Sequence, residues 1–571
     1  HGQIVAAVAE PGVGKSRLFY EFKVKNQPGW MVLQAFSVSY GKASAYLPLI
    51  DLLHGYFKIT AEDDPRTRRE KVNGRIVTLD PALEDTRPYL FGLLGLVEDD
   101  DPLAQMDGQI KKRRTLEAIK RILLRESLSQ PLIVIFEDLH WIDEQTQEFL
   151  NLLADSIGTA KILLLVNYRP EYSHRWNSKT YYTQLRLDPL GKESAEEMLS
   201  TLLGGGADLA PLKRVIVERT EGNPFFMEET VQALLDEGAL VRNGGLKLTR
   251  PLAELKIPPT VQAILASRID RLPPDAKDLL QTLAVIGREF PTSLIRAVVT
   301  KSDDELNRTL NDLQVGEFIY EQPAVGDVEY TFKHALTQEV AYNSVLVERR
   351  KLLHERAGEG IEALFVEQLD DHVNELARHY SHSSNVAKAV KYLQMAGQQA
   401  AQRSAYAEAV GHLTSGLELL KCLPDDLERA RRELELQLSL AQSLRWTKGI
   451  GAPEIGRSLI RAREICTLVD ESRELFAVLL GLHQHHLVRL DLDTARDLGE
   501  QLLILTESAN EPAKLLVAHG ASGLFMLLSG EFAAARDHFE QASPRFDWGQ
   551  CDFFGAFYPC FGAWALWALG Y

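Results

Sequence analysis

The chain has 571 residues, 45% of them apolar and 25% charged, and its 80 acidic side chains exceed its 63 basic ones to give a formal net charge of −17. This composition excludes bulk disorder and a collagen-like chain, and the length predicts about three or four domains of roughly 150 residues each. The pI near 5.5 argues against nucleic acid as the main partner. Four sparse cysteines without metal-binding spacing favour free thiols in a cytoplasmic protein.

The first part of the chain alternates short apolar strands with helices. The strand-like runs are rich in β-branched residues and leucine, and they cover residues 4–9, 31–35, 132–136 and 162–166. Uninterrupted apolar strands between helices predict a parallel sheet that is covered on both faces. We therefore expect an α/β domain over residues 1–190, with no signal peptide ahead of its first strand.

Three further units are expected after this domain. Residues 191–255 have a helical pattern. Residues 256–366 combine short helices with two strand-like pieces joined by a Gly-Asp turn, an order that is typical of a winged-helix domain. Residues 367–571 are almost entirely amphipathic helix.

The last unit contains an internal repeat. Residues 492–501 and 532–541 align with an offset of 40 residues, and residues 406–413 resemble the same helix. Helix pairs with such a period predict a tetratricopeptide-like solenoid whose concave face binds other molecules. The apolar stretch 553–571 is long enough to cross a membrane, but its glycines and its place in the repeat favour a repeat helix. A chain that starts with His and stops inside a repeat is expected to be an internal piece of a longer protein.

The strongest local signal is the Gly-rich segment 9–16, which follows a strand and opens a helix. Glycines let backbone N–H groups converge on phosphates, Lys15 is expected to reach the β- and γ-phosphates, and the Ser16 hydroxyl to hold Mg²⁺. The helix that begins near Arg17 adds its positive N-terminal end. Ala9 stands where Gly is usual, and we expect binding to survive this change. The nucleotide contacts predicted by this segment are Pro11, Gly12, Val13, Gly14, Lys15, Ser16 and Arg17. The α/β domain is therefore predicted to be a P-loop NTPase.

Polar residues follow two of the buried strands. Glu137 and Asp138 end the strand at 132–136, where Mg²⁺ and an attacking water need acids. Because neighbouring side chains on a strand point opposite ways, we expect Glu137 to face the Mg²⁺ shell and Asp138 to orient water, with the reverse assignment left open. After the strand at 162–166, Arg169 or Asn167 is placed to sense the γ-phosphate, and the alternative for Arg169 is a surface arginine.

Four motifs in this order resemble a known family. Residues 11–18, 137–143, 167–171 and 221–226 read PGVGKSRL, EDLHWID, NYRPE and EGNPFF. They are similar to signal-transduction ATPases with numerous domains, and specifically to the origin-recognition-like AAA ATPase module of bacterial proteins. Residues 40–48 and 330–336 resemble the version that follows a class III adenylate/guanylate cyclase domain. Over nearly the whole chain, the resemblance implies an AAA-type ATPase core, a helical lid, a winged helix and a tetratricopeptide-like repeat sensor.

The resemblance also implies roles for single residues. Arg169 matches the family's sensor arginine, and Pro224 matches the lid proline that packs on the adenine. His334 matches a winged-helix histidine that contacts the ADP β-phosphate, and a structural histidine is the alternative. The catalytic set implied in this way is Lys15, Glu137, Asp138 and Arg169, and the Mg²⁺ ligands are Ser16 and Glu137.

The activity that the resemblance implies is a switch that uses ATP, ADP and Mg²⁺. The ADP form is closed, and a protein or small-molecule effector on the repeats favours exchange and assembly into a homo-oligomer. Slow hydrolysis resets the switch, and the output is a fused domain outside the chain, such as a cyclase. Two other interpretations are a DNA-binding regulator that uses the winged helix, and a repeat scaffold whose nucleotide site is purely structural.

Three other features are given structural roles. His483, His485 and His486 are interpreted as the polar face of a repeat helix rather than as a metal site. The basic clusters 111–114 and 349–351 are interpreted as solvated helix faces. Asp143 is expected to cap the helix that follows it.

Overall fold

The computed structural model of the chain describes most of its residues. They are residues 1–26, 29–37, 44–60, 62–97, 103, 106–204, 206–242, 246–255, 257–322, 327–469, 472–509, 512–542 and 553–570. Residues 40–43 of the segment 40–48, and Cys551, lie outside the described residues. Of the described cysteines, Cys422 has a free thiol and is exposed.

A five-stranded parallel sheet forms the N-terminal domain. Its strands are β1 Gln3–Val8, β2 Met31–Phe36, β3 Leu132–Glu137, β4 Ile162–Tyr168 and β5 Tyr182–Arg186. The strand order is β2-β3-β4-β1-β5, and every neighbouring pair is parallel. This confirms the predicted α/β core. β5 was not predicted, because it is largely exposed and lacks an apolar run.

Helices cover both faces of this sheet. They are α1 Lys15–Asn26, α2 Leu47–Phe57, α3 Pro65–Leu79, α4 Arg87–Leu94, α5 Gly108–Ser129 and α6 Glu144–Ser156. The start of α6 follows the prediction, since the Asp143 carboxylate accepts a hydrogen bond from the Thr146 backbone N–H at 2.9 Å.

A small helical segment and a mixed module come next in the chain. The α7–α9 segment contains α7 Lys192–Leu203, α8 Ala210–Thr220 and α9 Pro224–Asp236, followed by the antiparallel pair β6 Leu240–Arg242 and β7 Leu246–Leu248. We call residues 261–364 the middle module. Its elements are α10 Val261–Arg271, α11 Pro274–Ile286, β8 Glu289–Pro291, α12 Thr292–Val298, α13 Asp303–Val315, β9 Ile319–Gln322, β10 Glu329–Phe332, α14 Ala335–Asn343 and α15 Val347–Leu364. The predicted helices and hairpin are present, and β8 adds a third strand beside β10.

The rest of the described chain is helical. Its helices are α16 Val373–Ser381, α17 Val386–Gln402, α18 Tyr406–Leu420, α19 Leu427–Lys448, α20 Pro453–Val469, α21 Ser472–Val488, α22 Leu492–Ala509, α23 Pro512–Leu528, α24 Phe532–Ala542 and α25 Phe553–Ala568. Each packs chiefly on its neighbours in sequence, as in a solenoid. None of the helices in the described part combines the length and apolarity that a bilayer span requires.

The 40-residue repeat is visible in the turns between the helices. Leu490, Gly530 and Gly570 are spaced by 40 residues, and all have a left-handed backbone, with φ of 60°, 81° and 88°. Glycine adopts this conformation without steric cost, whereas leucine is strained in it. The turn between α21 and α22 therefore keeps its left-handed backbone at Leu490, although the sequence has no glycine there.

The histidines of α21 correct the prediction of a polar helix face. His483 and His485 are only 1% and 5% exposed. The His485 ring is hydrogen-bonded to the carbonyl of Ile450 through Nδ1 at 2.8 Å. The helix is enclosed by α20 and α22 on either side, which a single-helix pattern does not show. Among the described residues no group of three or more His, Cys, Asp or Glu side chains is arranged to hold a metal ion.

The strained turn generates a stability prediction. Leu490→Gly removes the left-handed strain, and Leu490 is 74% exposed, so little packing is lost. We expect the opening free energy of α21 and α22 to rise by about 0.5–1 kcal/mol, measured by amide hydrogen exchange. The reverse change one repeat later, Gly530→Leu, serves as the matched control and should accelerate exchange in α23 and α24. Unchanged or faster exchange in Leu490→Gly would contradict the strain.

Candidate nucleotide-binding site

The loop between β1 and α1 has the backbone that phosphate binding requires. Gly12 and Gly14 have φ of 83° and 108°, which side chains disfavour. A Cβ at Gly12 would lie 2.9 Å from the Asn223 side-chain oxygen, so this position also needs glycine for space. Ala9 is not among the positive-φ residues, so its methyl group is accommodated without backbone strain. The departure from the usual glycine therefore leaves the loop intact.

Lys15 lies inside this loop. Its Nζ donates hydrogen bonds to the carbonyls of Ala9 at 2.8 Å and Glu10 at 3.1 Å. Burial lowers the pKa of Lys15, and the negative charge of Asp138 opposes that shift. Because neutral carbonyls are weaker partners for an ammonium than phosphate oxygens, a bound nucleotide can replace them. The Lys15 ammonium is thus held against the loop backbone, and its phosphate contact stays a prediction.

Ser16 and Arg17 stand on the first turn of α1. Both side chains are exposed. The Arg17 guanidinium forms a 2.6 Å ion pair with Glu21 one turn along the helix. Its side chain is therefore directed along α1, and the nucleotide contact expected of Arg17 falls to its backbone N–H at the helix start.

The two acids that end β3 have different surroundings. The Glu137 carboxylate accepts hydrogen bonds from the side-chain amides of Gln34, at 2.8 Å, and Asn167, at 3.0 Å. Asp138 has a left-handed backbone, with φ of 58°. Burial raises the pKa of Asp138, and the positive charges of Arg288, Lys15 and Arg169 oppose this. A hydroxyl and two carboxylates suit Mg²⁺, which uses few protein ligands and completes its shell with water and phosphate oxygens. Ser16 and one of the two carboxylates, Glu137 or Asp138, would hold the ion.

Asn167 joins the two acids. Its Nδ2 donates to Glu137, and its Oδ1 accepts from the backbone N–H of Asp138 at 2.8 Å. Asn167 is fully buried, whereas the Arg169 guanidinium lies over the Trp141 ring, 5.1 Å from its centroid. The sequence identified both residues but placed Arg169 first. The feature that distinguishes Asn167 from Arg169 is its burial at the end of β4.

The start of α9 is docked on the loop. Asn223 caps α9 by accepting from the Phe226 N–H at 3.2 Å, and its Nδ2 donates to the carbonyl of Pro11 at 3.0 Å. The Phe225 N–H donates to the carbonyl of Gly12 at 3.2 Å. Pro224 stands between these two contacts, in the first turn of α9. The motif at 221–226 therefore closes over the segment at 9–16, far from it in sequence.

His334 reaches the same place from the middle module. Its ring centroid is 3.8 Å from that of Phe225. Burial lowers the pKa of His334 to about 3, so the ring is neutral at pH 7. Its Nε2 is buried and has no hydrogen-bond partner among the described residues. The ligand contact that the resemblance implies and the structural histidine both stay predictions for this residue.

A cavity of about 380 Å³ lies beside the loop on the β5 side. Its walls include Val13 of the loop and the aromatic rings of Tyr168, Tyr172 and His174. Aromatic walls next to a phosphate loop suit a purine base. Of the described residues, Pro189 rather than Pro224 lines this cavity. These lining residues were not predicted, since the chain brings them together only through β5.

Two solved structures are similar over large parts of the chain. One is a signal transduction ATPase with numerous domains that carries a tetratricopeptide repeat sensor, from Pyrococcus horikoshii, with 13% identity and a TM-score of 0.32, covering 96% of this chain and 85% of that chain. The other is Cdc6p from Pyrobaculum aerophilum, with 11% identity and a TM-score of 0.25, covering 63% of this chain and 88% of that chain. TM-scores of this size do not establish a common fold.

Sequence comparisons point to the same module. A protein of Rhizobium meliloti (strain 1021), described as uncharacterized, is 27% identical over 531 residues, which is 90% of this chain and 49% of that protein. The chain thus spans about half the length of the curated relative it matches. Residues 2–166 match the family model of the AAA ATPase domain. The family match, the glycine loop and the acidic end of β3 together identify the N-terminal part of this chain as an AAA ATPase domain.

Proposed function

We propose that this chain is an ATP-binding signalling switch with slow Mg²⁺-dependent hydrolysis, in which the repeats sense an effector and the nucleotide state controls an output domain. The observation that carries the proposal is the docking of Asn223 and Phe225 on the phosphate loop. A nucleotide held beneath these contacts cannot exchange until they open. The α7–α9 segment thus acts as a lid.

The repeats are in contact with the ATPase domain, as a sensor requires. Glu408 of α18 accepts a hydrogen bond from the Ala45 backbone N–H at 2.5 Å. Arg68 of α3 forms a 2.6 Å ion pair with Asp371. Alanines of α17 and α18 belong to the same buried cluster as the ATPase sheet. An effector that moves these helices and binds the open form better than the closed form would shift the switch.

The residues of the loop and of β3 can carry out hydrolysis. ATP supplies the γ-phosphoryl group, and its Mg²⁺ neutralises the developing charge. Lys15 binds the β- and γ-phosphates, and Ser16 with an acid of β3 orients the metal. Asn167 fixes the acidic pair, so that one carboxylate is held in place to orient the attacking water. Burial raises the pKa of Asp138, and the positive charges of Arg288, Lys15 and Arg169 oppose this rise.

The identity of the output domain and the assembly into a homo-oligomer are proposed from the family resemblance. A class III cyclase outside this chain is the output domain that the motifs imply, and nucleotide exchange would promote a homo-oligomer. The DNA-binding alternative has less support in the structure, since Arg349 and Lys351 of the second basic cluster pair with Asp278 and Glu348.

Nucleotide content tests the proposal directly. We expect the purified chain to release bound ADP or ATP on denaturation, and Lys15→Ala to release none, because the phosphates lose their main cationic contact. Lys25→Ala, an exposed lysine on the same helix, is the matched control and should retain nucleotide. The readout is chromatography of the released nucleotide. A wild-type chain that is empty and also ignores added Mg-ATP would contradict the proposal and favour a repeat scaffold.

Asn167 separates hydrolysis from binding. Asn167→Ala leaves the acidic pair without its bridge, and we expect kcat for ATP hydrolysis to fall about ten- to a hundredfold while ADP affinity stays within about twofold. Single-turnover hydrolysis and calorimetric ADP titration measure the two quantities. Equal losses in both would instead mean that Asn167 supports the fold of β4.

The lid contact predicts faster ADP release. Asn223→Ala removes the hydrogen bond to Pro11 as well as the cap of α9, and we expect the ADP dissociation rate to rise about five- to tenfold. Ser302→Ala removes an equivalent cap from α13 at an exposed residue of the middle module, and should leave the rate unchanged. The rate is measured by displacement of a fluorescent ADP analogue. An unchanged rate in Asn223→Ala would argue against lid control.

A further inference from the structure

A second cavity, of about 470 Å³, lies where the ATPase domain, the middle module and the first helix of the repeats meet. Each of the three contributes an arginine to its walls, namely Arg169, Arg288 and Arg378. Glu339 is the acid among the residues that line it, and His354 and His382 stand beside Arg378. The cavity thus carries an excess of positive charge, which suits an anion.

Arg288 is anchored in the middle module and reaches the ATPase sheet. Its carbonyl accepts hydrogen bonds from the Phe332 N–H and the Thr331 hydroxyl, both at 3.3 Å. Its guanidinium lies 5.2 Å from the centroid of the Phe36 ring. Phe36 ends β2 and pairs with Glu137 in the sheet register. Arg288 therefore lies at the carboxyl edge of the sheet, beside the acidic pair.

The electrostatics agree with this position. Among the charges that act on the Asp138 carboxylate, Arg288 lowers its pKa more strongly than Lys15 or Arg169 does. Arg288 of the middle module thus acts on the same carboxylate as Lys15 and Arg169 of the ATPase domain.

The Arg288 side chain also has an unused donor. Its Nη1 is buried and has no hydrogen-bond partner among the described residues. A buried donor without a partner is unfavourable, and a ligand oxygen would supply that partner. Guanidinium groups bind carboxylate and phosphate oxygens with two parallel hydrogen bonds, and phosphate is the anion expected beside the loop at 9–16.

We propose that Arg288 binds the terminal phosphate of a nucleoside triphosphate held by the loop at 9–16, and so makes the middle module respond to that phosphate. The inference rests on the proposed nucleotide switch and adds a residue that distinguishes the triphosphate from the diphosphate. ADP lacks the phosphate that reaches Arg288, whereas the contacts of Lys15 and the lid serve both nucleotides.

Arg378 connects this residue to the repeats. Its Nη2 donates a 2.7 Å hydrogen bond to the carbonyl of Ile286, which ends α11 two residues before Arg288. Arg378 stands on α16, which packs on α17. A shift of the first repeat-region helices therefore moves the segment that carries Arg288. Arg378 is a positioning residue for Arg288, and the terminal phosphate and the repeats are coupled through it.

The test compares two nucleotides on the full chain. Affinities for ADP and for the β,γ-imido analogue of ATP, both with Mg²⁺, are measured by calorimetry for wild type, Arg288→Ala, Arg288→Lys and Arg296→Ala. Arg296 is an exposed arginine of the same module, paired with Asp303, and is the matched control. We expect Arg288→Ala to weaken analogue binding about ten- to a hundredfold and ADP binding less than about twofold. Arg288→Lys should lose less, and Arg296→Ala should match wild type.

Arg378→Ala tests the positioning role. We expect it to weaken analogue binding about three- to tenfold with ADP affinity retained, because Arg288 is still present but less well placed. A merely structural Arg378 would lower both affinities alike. Retained ADP binding also shows in each variant that the domain is folded.

Three results would overturn the proposal. In the first, Arg288→Ala lowers the affinities for ADP and for the analogue equally, which would mean that Arg288 only supports the packing of the middle module on the ATPase domain. In the second, neither affinity changes. In the third, inorganic phosphate binds the ADP-loaded wild type but not ADP-loaded Arg288→Ala, and the ratio of the affinities for the analogue and for ADP is the same in both proteins. Arg288 would then bind free phosphate in the cavity and not the terminal phosphate of the nucleotide. If the wild type binds neither nucleotide, the switch itself fails, and this outcome is distinct from the other three.

Discussion

The parallel pairing of β1, β4 and β3 is the constraint on which the site depends. Parallel strands end at the same edge of the sheet. The loop after β1, Asn167 on β4 and the acids that end β3 therefore lie close together, although they are far apart in sequence. β4 lies between the loop strand and the acidic strand. Its Asn167 can therefore donate to the Glu137 carboxylate and accept from the Asp138 backbone N–H, and these two hydrogen bonds are formed without a ligand.

Closure of the site relies on weak interactions. Asn223 and Phe225 each make one hydrogen bond to a carbonyl of the loop. Hydrogen bonds between neutral groups contribute about 0.5–1.5 kcal/mol each, so the two together amount to a few kcal/mol at most. Allosteric couplings are typically about 1–3 kcal/mol. In the proposed switch, effector binding on the repeats would therefore need to supply only a coupling of this size to open the lid.

The ATPase domain also serves as the surface on which the other parts meet. The repeats contact it through Glu408 and Asp371, and the middle module reaches it through Arg288. His334 of the middle module contacts Phe225 of the α7–α9 segment instead. The parts are therefore joined by a hydrogen bond, an ion pair and ring contacts, together with the apolar packing of alanines from α17 and α18.

The sequence by itself determined the elements and the chemistry within each. Apolar runs specified the four strands, glycines the phosphate loop, and the 40-residue period the repeats, because these patterns are local in the chain. Only the tertiary structure decided which elements meet. Four features depend on residues that are distant in sequence. They are the pairing of the exposed strand β5, the burial of His483, the contact of Asn223 with Pro11 and the approach of Arg288 to Asp138. Such contacts follow from packing of whole domains, and no local pattern encodes them.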